Sequence, residues 1–494
     1  MWNFVIIIFV LCIRRFLMQN EIKQKPEGLW RKRIGYAFGT APDSVTYTIT
    51  SIYALFFMTD VVGINPATAG LIMGAGTVIC AIVVPIIGIY ADNYSSPKGR
   101  RYPLMLIFMF MAMFFLALFF LPFNLGPIQV AFLFVTFVCV ATIYTSYDVP
   151  YYALGAELTD DYNERNNLML AKNWIAYPIC YFAESFVYTM VVKFSEFTGE
   201  RYAWFLAMLV VVAFVIASTL FSFFMCKRYD HPIERVEKAE KFSLVETFKE
   251  YVKILSVKVC RKVMIYNLIF CIGYMIIMNT VTYSLTYCVN PAAGGVDALV
   301  AGYWLCNSIM CMVFAPICTF IANRWDKKAS VVIFLFISAI WQGIFYFTGL
   351  NSFVGVLVWS CANGLAAIAF YSLYQSMLYD TCEVYELKFG EKKEGSIVSM
   401  SMFMQALGAG IASFLVGICL NAVGYDASAE VVSEATSKGM LGIATILPAF
   451  FIIIGLIWIL THRLNRERYE AVKEALEKRA NGEEVDLSQF SDIM

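Results

Sequence analysis

Apolar stretches of about 20 residues follow one another along almost the whole of this chain, separated by short polar turns. A stretch of that length crosses the hydrocarbon layer of a bilayer as a helix. Approximate helix cores fall at 34–59, 67–91, 103–122, 128–156, 168–193, 203–226, 263–288, 298–322, 330–349, 354–385, 395–423 and 439–461. Of 494 residues, 60% are hydrophobic and 15% charged, against about 45–50% and about 25% in ordinary globular domains. The expected fold class is an all-α membrane protein of twelve transmembrane helices.

Charge excludes some partners and orients the chain. Lysines plus arginines equal aspartates plus glutamates, at 37 each, so nothing points to nucleic acid. One set of turns carries Arg31, Lys32, Arg33, Lys98, Arg100, Arg101, Arg165, Lys227, Arg228, Arg324, Lys327, Lys328, Lys388, Lys392, Lys393, Arg463, Arg466 and Arg468, while the opposite set has little beyond Arg201 and Lys438. This alternation puts the basic side, and both termini, in the cytoplasm. The fourteen cysteines are scattered, mostly inside apolar runs, without CxxC or Cys/His spacing, and only His231 and His462 are histidines. No metal site and no cofactor is expected.

The charged stretch 227–262 divides the chain. Comparable turns follow the second and eighth helices: Asp92 to Arg101, and Arg324-Trp-Asp326-Lys-Lys328. Matching positions in two sets of six helices imply the two-half arrangement of the major facilitator fold, with a ligand held near the midplane between halves. The expected organisation is a cytoplasmic segment 1–33, a six-helix bundle 34–226, a cytoplasmic linker 227–262, a second bundle 263–462 and a cytoplasmic tail 463–494. The tail places Leu464, Tyr469, Val472 and Leu476 at near-helical spacing, as an amphipathic helix would. Residues 1–12 are apolar but too short to span, and Met18 is the expected initiator; an intact mass beginning at Met1 contradicts that.

Ionisable groups inside the spans point to a pathway. Asp148, within Tyr144-Thr-Ser-Tyr-Asp148-Val-Pro150-Tyr-Tyr152, sits deep in the fourth helix. Such a residue costs at least about 2.5–3.5 kcal/mol and is retained where it faces a polar cavity or a paired partner. Asp43 lies at similar depth on the first helix, behind Pro42, whose missing N–H loosens the helix there. The hydroxyls of Ser44, Thr46, Thr48, Thr50 and Ser51 serve helix contacts or the cavity. On the fifth helix, Lys172-Asn173-Trp174 and Glu184 follow. Lys172 either reaches toward the basic face or pairs with Asp148, and Glu184 is a proton carrier or a buried paired acid. In the second half Asp380 and Glu383 lie one turn apart. Acids, amides and aromatic faces around a midplane cavity suit a polyhydroxylated solute.

Several motifs resemble the glycoside–pentoside–hexuronide:cation symporter family: Tyr36-x-x-Gly39 leading to Phe57-Met-Thr-Asp60-Val-Val-Gly63, Asp148-Val-Pro150-Tyr-Tyr-Ala-Leu154 with Asn163-Glu-Arg165, and Asp380-Thr-Cys-Glu383 with Glu394-Gly395-Ser396. The resemblance covers about 34–460. It implies that Asp148 is the sugar-binding acid of the fourth helix, that Tyr152 takes the place of a stacking aromatic, and that Lys172 replaces an arginine. Ser44 falls on the first helix's sugar-binding acid, and Asp43 is one residue earlier, turned about 100°. Asp92, Gly99, Arg100 and Arg101 form the conformational gate loop. The departures are specific. Sodium-coupled members carry two aspartates where this chain has Cys80 and Val84, and a lysine where it has Ala406. A hard cation needs oxygen ligands, which those side chains do not supply.

The resulting expectation is a secondary active transporter of a sugar, glycoside or related polar solute, working by alternating access in a bacterial inner membrane. Asp148, Tyr152, Asp43, Ser44, Lys172, Asn173 and Trp174 bind substrate, with Tyr152 and Trp174 stacking, and Asp148, Asp43 and Glu184 carry protons in place of sodium. Uniport, or carriage of an amphiphile or amino acid, is the alternative within transport. A sensor or membrane enzyme is a remote one, since no catalytic constellation appears.

Overall fold

Hydrocarbon offers no partner to a backbone N–H or C=O, so a chain of apolar windows must satisfy its own backbone as helix. The computed structural model does so almost throughout the residues it describes, which are 29–93, 101–110, 112–120, 126, 128–158, 162–229, 244–289, 294–391, 393–427, 432–481, 483 and 485–494. Met18, Gly99 and Arg100 lie outside them.

The first half contains α1 (Leu29–Phe38), α2 (Ala41–Phe56, continued by a π-helical turn Phe57–Val61), α3 (Pro66–Asn93), α4 (Tyr102–Phe110), α5 (Ala112–Leu118) and α6 (Ile128–Glu157). It continues with α7 (Tyr162–Tyr181), a π-helical turn Phe182–Phe186, α8 (Val187–Thr198) and α9 (Glu200–Cys226). After α10 (Leu244–Leu255) come α11 (Lys258–Tyr287), α12 (Val296–Arg324), α13 (Lys327–Thr348), α14 (Phe353–Phe389), α15 (Glu394–Ala422), α16 (Glu434–Leu460) and α17 (Arg466–Ala480). Ten helices among the described residues are long and apolar enough to cross a membrane, with α7 and α8 forming one continuous span. The window expected at 34–59 is instead segmented, as α1–α2; α4 and α5 lie on either side of Met111, which is outside the described residues.

The stretch between the halves is partly structured. Residues 230–243 lie outside the described set, but α10 buries Tyr251 and Ile254. The Tyr251 hydroxyl meets Ser399 Oγ on α15 at 2.9 Å. At the tail, α17 docks as its spacing predicted. Asn465 caps it by accepting from Arg468 N at 3.0 Å, Val472 is fully buried, and Tyr469 donates to Glu383 Oε1 at 3.0 Å.

The halves meet at one end. There α3 and α15 cross backbone to backbone: a Cβ on Gly417 would stand 2.4 Å from Pro66 O, and one on Gly74 2.9 Å from Gly410 O. Only glycine permits that approach. Nearby, Asp60 accepts from the hydroxyls of Tyr287 and Tyr425, while Thr59 and Tyr283 pair their hydroxyls at 2.6 Å. Asn65 donates to Asn421 Oδ1 at 2.8 Å. Buried apolar side chains from both halves form a single cluster toward this end, including Phe56, Met58, Tyr283 and Leu285. At the other end the buried residues fall into separate groups, one around Tyr36 and Tyr151, the other around Tyr266 and Tyr385.

Because the α3–α15 contact leaves no room for a side chain, Gly417→Val should force the closed end apart, at a cost of about 1–3 kcal/mol to the closed arrangement. In a cysteine-free background carrying Tyr283→Cys, labelling by a hydrophilic maleimide is expected to rise when Gly417→Val is added. An unchanged labelling rate means that this contact does not hold the halves together.

Candidate functional site

The break between α1 and α2 sets the site. Gly39 has no side chain to obstruct its neighbours, and Pro42 cannot donate to a preceding carbonyl, so the helix restarts with proline in its first turn. Carbonyls around the break accept from hydroxyls of neighbouring helices. Tyr147 donates to Gly39 O at 2.8 Å, Tyr151 to Tyr36 O at 2.9 Å, and Ser218 to Phe38 O at 2.7 Å. A Cβ on Gly39 would meet Ser222 Oγ and the Tyr151 ring at 2.8 Å, so the tight fit depends on glycine. Asp43 thus occupies the first turn of a new helix, where the positive end of the helix dipole favours a carboxylate.

Helix α6 carries two interleaved tyrosine stripes. Tyr147 and Tyr151, four apart, face α1 and seal the break. Tyr144, Asp148 and Tyr152, also spaced by four, line the space between the halves. Tyr152 is a relay: its hydroxyl donates to Asp43 Oδ2 at 3.1 Å and accepts from Lys172 Nζ at 2.9 Å. The Lys172 ammonium lies 4.2 Å from the centroid of the Tyr152 ring, a cation–π contact as well. Asp148 and the Tyr144 hydroxyl adjoin Asp43. Asp148 Oδ1 is buried with no hydrogen-bond donor.

These groups open onto a cavity of about 480 Å³ between the halves. Asp43, Tyr144, Asp148 and Tyr152 form part of its first-half wall, and Tyr274, Asn279, Tyr371 and Gln405 part of its second-half wall. It extends away from the closed end as far as Tyr251 of α10 and Ser399 and Phe403 of α15.

Of the residues singled out from sequence, Asp43, Asp148, Tyr152 and Lys172 come together. The others do not join them. Ser44 faces Thr40, its hydroxyl 3.3 Å from Thr40 Oγ1; Asn173 is exposed; and neither these nor Trp174 is among the described lining residues. Glu184 lies in the π-helical turn after Pro178, its backbone carbonyl accepting from Tyr53, its carboxyl toward Tyr274 and Tyr303 of the other half. Of the gate loop, Arg101 is buried. In the second half Lys327 clasps Asp380 through both oxygens, at 2.9 and 2.7 Å. Cys80 points its thiol to Ala141 O at 3.1 Å, and Ala406 lines the cavity.

Sequence reasoning missed Tyr144 and Asp60. Tyr144 was detectable as the residue one turn before Asp148 on the same face. Asp60 stood in a quoted motif, but its tyrosine partners come from distant helices.

Known proteins resemble this chain in sequence and in fold. The chain is 25% identical to an uncharacterized symporter, YnaJ, of Bacillus subtilis, covering 94% of this chain and 97% of that one. It is 23% identical to the isoprimeverose transporter of Lactiplantibacillus pentosus over 81% of each, and 24% identical to a putative sulfoquinovose importer of Escherichia coli over 92% and 95%. Among solved structures, a bacterial homologue of the human drug peptide transporters superposes with a TM-score of 0.64 at 13% identity, over 92% of this chain and 100% of that one. The nucleoside transporter NupG gives 0.65 at 10%, over 88% and 100%. These likenesses fix the major facilitator fold, that of a multi-pass membrane protein. Since the model for the family "MFS/sugar transport protein" matches residues 35–466, nearly the entire helical body, the chain belongs to that family of membrane transporters and is not an enzyme.

Proposed function

We propose that this transporter carries a sugar, glycoside or related polyhydroxylated solute through the cavity between its halves, in symport with protons. The observation that carries the reading is the charge count of the cavity cluster: among the described lining and adjoining residues, Lys172 is the one cation beside two acids, Asp43, which it reaches through Tyr152, and Asp148, which adjoins Asp43. One added proton makes the cluster neutral. In a low-dielectric cavity two adjacent carboxylates cannot both stay ionised at little cost, so the pair binds that proton as a unit. Asp148 Oδ1 lacks a donor, and a substrate hydroxyl supplies one. Substrate and proton then favour the same occupied state, which is what coupling requires.

The names of the isoprimeverose transporter and the putative sulfoquinovose importer, both relatives across most of the chain, support a sugar-like cargo. Cys80 and Ala406, at the positions where sodium-coupled members hold an aspartate and a lysine, argue against a sodium site. With the basic end taken as cytoplasmic, the arrangement is inward-facing: closed outside by Asp60 and the α3–α15 contact, open inside past Tyr251. Opening outward has to close the basic end, where we assign the brace to Asp92, Gly99, Arg100 and Arg101. The Lys327–Asp380 pair is its second-half counterpart. Glu184 is assigned as a second proton carrier, off the substrate cavity.

Proteoliposomes given an acid exterior should accumulate a transported glycoside with or without sodium. Uptake that requires sodium and ignores the pH gradient overturns proton coupling, and uptake driven by neither gradient identifies a uniporter. Asp148→Asn keeps the shape but weakens the acceptor. Loss of charged hydrogen bonds worth about 1.5–3 kcal/mol raises the substrate Kd roughly 10- to 150-fold. Calorimetry on the purified variant checks this, and an unchanged Kd removes Asp148 from the binding site.

A further inference from the structure

A second polar site lies at the basic end, away from the transport cavity. Helices α11, α13 and α16 and the segment after α17 enclose an open groove of about 570 Å³. Its charged walls are Lys262, Lys328, Arg463 and Arg468, with Asp492 as the one acid among the described lining residues. Asp492 is half spent: its Oδ2 accepts from Arg468 at 3.3 Å, while its Oδ1 is buried without a partner. The two lysines each use one donor on the end of α16, Lys262 on Thr461 O and Lys328 on His462 O, the latter at 3.1 Å. Capping the last carbonyls of a helix accounts for that bond and no more, since an ammonium has three donors. The side chain of Arg463 is exposed and donates to no acceptor among the described residues.

The floor of the groove points to a ligand. His462 is only 3% exposed, yet its Nδ1 has no hydrogen-bond partner. Burial and the ammonium groups of Lys328 and Lys262 lower its pKa to about 4, so the ring is neutral at pH 7. A neutral imidazole with Nδ1 protonated offers a donor there. Buried polar atoms are rarely left unpaired. Several unspent cationic donors around an unspent imidazole make an anion site, and a phosphoryl group, with its several acceptor oxygens, matches it.

The surroundings choose the source of that phosphate. Phe450, Ile453, Ile457 and Leu460 are each about half exposed along one stripe of α16, and Leu460 also lines the groove. An acyl chain lying on that stripe ends with its head group over Arg463 and Lys262. We propose that this groove binds the phosphate head group of an anionic phospholipid, tying α11, α13 and α16 together at the basic end.

The test uses the full-length protein in nanodiscs of equal phosphatidylglycerol and phosphatidylcholine, with retained lipid counted by native mass spectrometry. Preferential retention of phosphatidylglycerol is expected. Arg463→Gln and Lys262→Gln should each lower that preference about fivefold, at about 1 kcal/mol per cation. Lys438→Gln, at the opposite end of α16, should leave it unchanged. Arg463→Gln breaks no described side-chain hydrogen bond, so a folding failure is not expected to obscure it. In a second arm, lipid-stripped protein in detergent is heated with inorganic phosphate or with short-chain phosphatidylglycerol. Stabilisation by the lipid alone supports the proposal. Equal stabilisation by phosphate, lost in Arg463→Gln, replaces the lipid with a soluble phosphate anion. No preference for phosphatidylglycerol, or one that survives both groove variants, overturns the site.

Discussion

A backbone in hydrocarbon must satisfy itself, and several of the acids singled out in this transporter sit where that rule is locally broken and repaired. Around the break at Gly39–Thr40, carbonyls accept from the hydroxyls of Tyr147, Tyr151 and Ser218. The restart that follows carries Asp43 at the positive end of a helix. The π-helical turn before Val62 carries Asp60, and the one after Pro178 carries Glu184. Regular helix builds the walls and carries Asp148, while irregular helix presents Asp43, Asp60 and Glu184.

The same rule links the site to the joint between halves. Glycines on α3 and α15 let two backbones touch at one end, beside a buried cluster of large side chains drawn from both halves. Separation at the other end leaves a polar cavity in the middle. Asp60, accepting from two tyrosines of the opposite half, makes closure depend on directional bonds as well as on shape.

Much of this was legible in the sequence. The apolar windows located the helices long enough to cross a membrane, because membrane thickness fixes segment length. Asp148, Lys172 and Asp43 stood out because ionisable groups inside a span are expensive, and Tyr152 through the family resemblance. What escaped depended on partners. Ser44 aligns with a binding acid, but one residue of rotation turns it to Thr40. Asn173 and Trp174 neighbour Lys172 in sequence, yet successive helical residues face different ways. The segmentation of α1–α2 was underestimated because Pro42 alone implies a loosened helix; the full break needs Gly39 beside Tyr151. The amphipathic α10 was hidden within a charge-rich stretch read as linker.

The cavity's charge balance follows from which residues are missing. A lysine at position 406 would give the second half a cation of its own, and acids at 80 and 84 would ask for a bound metal ion. With alanine and cysteine facing the cavity at 406 and 80, Lys172 is the one described cation beside the Asp43–Asp148 pair. Neutralising a carboxylate pair that holds one ammonium takes one further positive charge. A proton supplies it without a coordination shell, and a sodium ion would need several oxygens held at fixed distance. Tyr152, which joins Asp43 to Lys172, would on the proposed reading let substrate and proton act on one hydrogen-bonded unit.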